Sequence, residues 1–124
     1  EARRFAAHAM QKAEAGDPGS CAAIVALFLG LRASEVLNRQ VRDLDDNGRI
    51  LWIPKGKTKN ARRRLQVPEE LQPLLLKRTR DKAADAYLIS QDGHRYTSTW
   101  LWIQVRKLCE EAGVPQVCPH SLGC

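Results

Sequence analysis

The hexapeptide Gly30-Leu31-Arg32-Ala33-Ser34-Glu35 holds the first residues whose types and spacing could do chemistry. A glycine that ends an apolar helix leaves Arg32 at the mouth of the core, between two helix ends. Glu35 follows closely enough to orient its guanidinium, and an oriented guanidinium suits anionic oxygens. Read alone, the hexapeptide fits a surface arginine beside a helix terminus equally well. The second feature is charge. Lys55, Lys57, Lys59, Arg62, Arg63 and Arg64 put six cations in ten residues, with no acid among them. The net charge of the whole chain is +6, so the entire excess sits in this one patch, and its natural partner is a polyanion. On charge alone, a solvated loop kept for solubility is the alternative.

Composition narrows the classes. A chain of 124 residues is one domain, and 44% apolar with 27% charged residues is the balance of a soluble globular protein. The longest apolar run, Cys21 to Leu29, is nine residues, where a membrane span needs about twenty. No charged-then-apolar leader opens the chain, and a cytoplasmic location is expected. The first residue is Glu1, not methionine, which leads to the expectation of an excised fragment or a processed product. Cys21 and Cys109 lie in apolar and amphipathic runs and read as buried, reduced thiols. Cys118-x-His120-xxx-Cys124 crowds three ligand types into seven residues with no second cluster, a poor zinc site, so no metal is expected.

The elements that must position these residues are mostly helices. Phe5, Ala6, Met10 and Ala13 recur at helical spacing up to Gly16, and Asp17-Pro18 is a strong helix start. The next run is apolar on all sides, as a central helix must be, and Gly30 ends it. Ser34 is placed to cap a short helix through Gln40. Asn47-Gly48 marks a turn, Arg49 to Ile53 a strand stopped by Pro54, and Leu65 with Val67 a second strand across the basic loop. Pro68-Glu69-Glu70 opens a helix with Leu71, Leu74 and Leu75 as its stripe. Ala86 to Ser90 reads as a third strand containing Tyr87, and Asp92-Gly93 as a turn. Thr97 or Ser98 caps a last helix lined by Leu101, Val105, Leu108 and Ala112, closed by Gly113 and Pro115. The fold class is α+β, mostly α, with a small three-stranded antiparallel sheet. Trp52, Trp100 and Trp102 read as core or rim packing in preference to base-stacking platforms.

Taken together, an apolar helix ending Gly-Leu-Arg-Ala-Ser-Glu, a lysine-rich hairpin, Pro68-Glu69-Glu70-Leu71-Gln72-Pro73-Leu74-Leu75 and Pro119-His120-Ser121-Leu122 resemble the catalytic domain of the tyrosine recombinases, the phage integrase family. The resemblance runs from about Phe5 to Leu122. It implies a helical catalytic domain in which a tyrosine attacks a DNA phosphodiester, leaving a covalent 3′-phosphotyrosine and a free 5′-hydroxyl. Arg32 matches the first catalytic arginine, whose planar fork meets the charge that grows on the non-bridging oxygens. Lys59, between Thr58 and Asn60, matches the hairpin lysine that protonates the leaving oxygen, with Lys55 and Lys57 as alternatives. His120 matches the histidine of the His-x-x-Arg motif. Lys55, Lys57, Arg62, Arg63 and Arg64 would then contact DNA phosphates.

The chain departs from the family at two places. Gly123 stands where the second arginine is expected, and no tyrosine follows His120. Tyr87 and Tyr96 precede it, and the nucleophile's role passes to neither. Residues 1–124 therefore read as a partial catalytic domain, without the N-terminal DNA-clamping domain or the tyrosine segment, and inactive by itself. The resemblance implies double-stranded DNA as partner, assembly as a homo-oligomer on DNA, and no metal or nucleotide cofactor. The other reading is a non-catalytic helical module whose basic hairpin tracks a nucleic-acid backbone. Either way the chain is expected to bind duplex DNA weakly, with affinity falling steeply as salt rises. Every phosphate neutralised by the protein adds about 0.9 to the steepness of log affinity against log salt. Replacing Arg62, Arg63 and Arg64 together with alanine should flatten that slope in a fluorescence titration; an unchanged slope would remove them from the interface.

Overall fold

Asp17 and Pro18 do at the start of the central helix what their types predict. In the computed structural model, which describes residues 2–54, 62–91 and 93–114, α2 spans Pro18–Leu29. The Asp17 carboxylate accepts the Ser20 amide at 2.9 Å and the Ser20 hydroxyl at 2.5 Å, satisfying a donor that the first helical turn leaves orphaned. Gly19 to Ala26 are buried on every side, so α2 is the axis of the domain. Around it pack α1 (Ala2–Glu14), α3 (Ala33–Leu37) and α5 (Ser98–Ala112). α1 contributes Phe5, Ala9 and Ala13, one face at a four-residue step, and α5 contributes Leu101, Val105, Leu108 and Cys109. The helices α2 and α5 meet closely at Gly19, where a Cβ would lie 2.7 Å from Gln104 Cγ. Among the described residues, no helix is long and apolar enough to cross a membrane.

A three-stranded antiparallel sheet packs beside the helices in the order β1 (Leu44–Asp45), β2 (Ile50–Pro54), β3 (Arg62–Gln66). Paired residues on neighbouring strands share a face. Leu51 and Ile53 are buried and pair with Leu65 and Arg63, whereas Ile50 and Trp52 point to the half-exposed face. After β3 a short 3₁₀ turn, Glu69–Leu71, leads into α4 (Gln72–Thr79), which buries Leu74 and Leu75; Leu71 is buried in the turn itself. The full burial of side chains such as Leu51, Leu71 and Leu75 stabilises by about 1.5–3 kcal/mol each.

The architecture is the expected one, and the differences are local. The sheet's third strand is β1, not residues 86–90. Tyr87 forms only an isolated bridge to Gln40 and is half-buried, while Ser90–Gln91 (β4) pairs with His94–Arg95 (β5) in a separate ribbon. A strand needs a partner ladder, and within that segment Tyr87 makes a single bridge while Ser90 pairs in the separate ribbon. Likewise Ser34 does not cap α3. The Glu35 carboxylate reaches back to the Arg32 amide, which makes Arg32 the N-cap residue, and the helix ends at Leu37.

One charge is buried inside this framework. Arg39, 6% exposed, donates Nε to the Glu35 carbonyl and Nη1 to the Trp52 carbonyl, both at 2.7 Å, and lies 3.4 Å from Asp43 Oδ2. It ties α3 to the middle of β2. Burial pushes its pKa down, with Asp43 and then Glu35 opposing that shift, and an arginine still keeps its charge at any working pH. Arg39→Met would strand two carbonyls and the Asp43 carboxylate, at a cost of about 3–5 kcal/mol. The urea midpoint should drop accordingly with the slope unchanged; a midpoint equal to that of the parent chain would show that the clamp contributes nothing.

Candidate active-site surface

The site begins at Gly30. Its backbone takes the left-handed conformation, φ 66° and ψ 36°, which a glycine adopts without the Cβ penalty. The turn sends Leu31 into the core at 0% exposure and Arg32 outward with extended backbone, φ −73° and ψ 156°. The Arg32 side chain is exposed. An adjacent buried leucine thus anchors the exposed Arg32.

Glu35 does not orient the Arg32 guanidinium. Its Oε1 accepts the Arg32 backbone amide at 2.9 Å, and its Oε2 lies 3.5 Å from Arg63 Nη2. One carboxylate therefore fixes the backbone of one arginine and the side chain of another, 28 positions along the chain. This brings the end of the β2–β3 ladder to the start of α3. Pro54 and Arg62 form its last described pair, one step beyond Ile53 and Arg63. Residues 55–61 connect these strands in sequence, and Lys55, Lys57 and Lys59 lie outside the described residues. His120, Gly123 and the Cys118–Cys124 cysteines lie outside them too.

The three arginines of β3 do not act as one face. Arg63 points with Ile53 toward Glu35, while Arg62 and Arg64 belong to the opposite side with Trp52. There Arg62 sits 4.6 Å from the centroid of the Trp52 ring, a cation–π contact, and Trp52 Nε1 donates to Asp45 Oδ2 at 3.1 Å. That bond, and next the Asp46 amide, hold the Asp45 carboxyl below its ordinary range. Trp52 is thus a rim residue. Trp100 stacks on Tyr96 with ring centroids 3.6 Å apart and lies partly buried against the core, as does Trp102. His94 is exposed, but His8 is not free: its Nε2 is 3.0 Å from Glu111 Oε1, which also accepts from Lys12 Nζ at 3.1 Å. Those two donors, His8 first, lower the Glu111 pKa. Among the described residues no group of three His, Cys, Asp or Glu side chains could hold a metal ion.

Sequence reading missed Arg39 and the double use of Glu35. The i, i+4 spacing of Arg39 and Asp43 was the one available signal; nothing local could show that Trp52 would supply the third partner.

An exposed arginine at the turn that ends a buried helix thus lies one carboxylate away from the arginine-bearing strand β3. The chain belongs to the phage integrase family, which it matches over residues 4–122. It is 27% identical over 108 residues to a tyrosine recombinase described as XerD-like from Streptococcus mitis, covering 84% of this chain and 40% of that protein. Its fold is similar to the crystal structure of XerA recombinase, with a TM-score of 0.72 and 23% identity over 94% of this chain and 44% of the other. It is also similar to XerH site-specific recombinase bound to its difH substrate in a pre-cleavage complex, with a TM-score of 0.65 and 16% identity over 93% of this chain and 37% of the other. The chain spans less than half the length of each of these relatives.

The geometry around Glu35 has a measurable consequence. Glu35→Ala removes an N-cap hydrogen bond, worth about 1 kcal/mol, and an exposed ion pair worth less. A melting temperature lower by a few degrees is expected, and added salt should recover almost none of it, since the capping bond is the larger part. A loss that salt abolishes would reverse the ranking of the two contacts.

Proposed function

We propose that this domain takes part in DNA strand breakage and rejoining, in site-specific recombination or integration, through a covalent 3′-phosphotyrosine. The observation that carries the reading is the double use of Glu35, whose carboxylate accepts the backbone amide of exposed Arg32 and pairs with the Arg63 guanidinium of β3. In the reaction a tyrosine oxygen bonds to phosphorus while the bond to the 5′-oxygen breaks. Charge accumulates on the non-bridging oxygens, where the Arg32 fork donates two hydrogen bonds. Lys59 returns a proton to the departing 5′-oxygen, and His120 assists proton transfer at the scissile phosphate. A free 5′-hydroxyl from a second strand reverses the step. Neither metal nor nucleotide is needed, because all of the charge compensation comes from side chains.

Double-stranded DNA is the partner, the complete enzyme works as a homo-oligomer on it, and the setting is cytoplasmic. Arg63 adds a second cation near the phosphate, whereas Arg62 and Arg64, on the other side of the hairpin, contact the backbone further out. Of the tyrosines, Tyr87 and Tyr96, we assign the nucleophile's role to neither.

In a chain carrying this domain together with its tyrosine segment, Arg32→Ala and Arg32→Lys should each cut covalent complex with a nicked suicide substrate about a hundredfold or more. DNA affinity should stay close to that of the parent, since Arg32 acts on charge that develops in the transition state, and lysine lacks the fork geometry. Arg32 is exposed, so these variants keep the fold. Undiminished covalent complex would take Arg32 out of the active site. A nucleic-acid-binding module without catalysis would show no complex even in the parent.

A further inference from the structure

We propose that the cleft between the α1–α2 turn and the C-terminal end of α4 is a second oxyanion site, built to take a phosphate group. It encloses about 210 Å³ and is lined by Lys77, Arg78, Arg80 and Lys82 against Ala13 and Gly16, with no carboxylate among its walls. None of the four cations forms an ion pair among the described residues. Arg78 Nη2 is buried and has no hydrogen-bond acceptor there. A buried guanidinium nitrogen without an acceptor costs free energy that an incoming oxyanion recovers.

The surrounding groups fix the cations without neutralising them. Lys82 Nζ donates to the Tyr87 and Leu88 carbonyls at 3.3 and 3.1 Å, which anchors the ammonium in place. Burial and, after it, the nearby Arg78 charge push the Lys82 pKa down. The neighbouring Cys21 thiol is pushed up by its burial, against the opposing charge and hydrogen bond of Arg78, so it stays neutral and supplies no anion. Asp17 is occupied by the Ser20 amide and hydroxyl. The cleft is separate from the Arg32 surface: α2, with 12 residues, holds them at its opposite ends, about 18 Å apart at 1.5 Å per residue. A planar arginine fork flanked by lysines matches phosphate oxygens, whether these belong to a DNA backbone or to a free phosphate.

The test titrates the isotope-labelled 124-residue chain with inorganic phosphate at constant ionic strength, following amide shifts. Saturable shifts at Gly16 and Lys82 are expected. They should weaken about tenfold or more in Arg78→Met, since one charge-assisted bond is removed. Lys77→Ala with Arg80→Ala, both at exposed positions, gives the same readout without touching a buried group. A short duplex then separates the sources. Shifts of the same amides, reduced by competing phosphate, identify backbone phosphate as the ligand; shifts with phosphate but not with duplex identify a free phosphate. Shifts that grow linearly without saturation, or that persist undiminished in both variants, overturn the proposal. Arg32→Ala should leave the titration unchanged, so its outcome is independent of the recombinase reaction.

Discussion

A guanidinium buried to 6% exposure is tolerated only where acceptors surround it, and Arg39 meets that demand by joining parts of the chain that are distant in sequence. Its partners are the carbonyl of Glu35 in α3, the carbonyl of Trp52 in β2 and the carboxylate of Asp43 in the turn before the sheet. Its own carbonyl accepts the Leu88 amide at 2.9 Å, which adds the segment after α4. Four stretches therefore converge on one residue. Because the charge cannot leave without a large desolvation imbalance, the angle between α3 and the hairpin is set there, and everything at the Arg32 surface inherits it.

Glu35 then uses that fixed angle. Its carbonyl is held by Arg39, its Oε1 holds the Arg32 amide, and its Oε2 meets Arg63. The ion pair to Arg63 is partly exposed and contributes little stability; the side of β3 that faces α3 is set by the register that pairs Leu65 with Leu51 and Arg63 with Ile53. Arg62 and Arg64 fall on the opposite side, where Arg62 stacks on Trp52 and Arg64 is the cross-strand neighbour of Trp52. A basic run that is continuous in sequence becomes two chemically different surfaces, one paired with a carboxylate and one stacked on an indole.

The central helix links these features to the rest of the molecule. At its C-terminal end Gly30 reverses the chain and Leu31 locks the reversal in the core. At its N-terminal end Asp17 accepts the Ser20 amide and hydroxyl, and Lys77, Arg78, Arg80 and Lys82 line a cleft nearby whose own walls carry no carboxylate. The interior of α2 is apolar all round, so it transmits position and carries no chemistry itself.

Features written by short-range physics were legible in the amino-acid order. Asp17-Pro18, Gly30, Thr97 and Gly113 each mark a helix end through a cap or a left-handed turn, and each stands where expected. The apolar spacing of Leu71, Leu74 and Leu75 and of Leu101, Val105 and Leu108 likewise anticipated which faces are buried. The basic run and the turn at Arg32 stand out in the sequence because residue type and chain position alone define them. Lys59 and His120 came from resemblance and lie outside the described residues. The choice of β1 over residues 86–90 as the third strand, the clamp at Arg39 and the division of Arg63 from Arg62 and Arg64 were decided by tertiary structure alone. Each depends on a partner many residues away, and a strand edge, a buried charge or a hairpin face has no preferred state until that partner is in place.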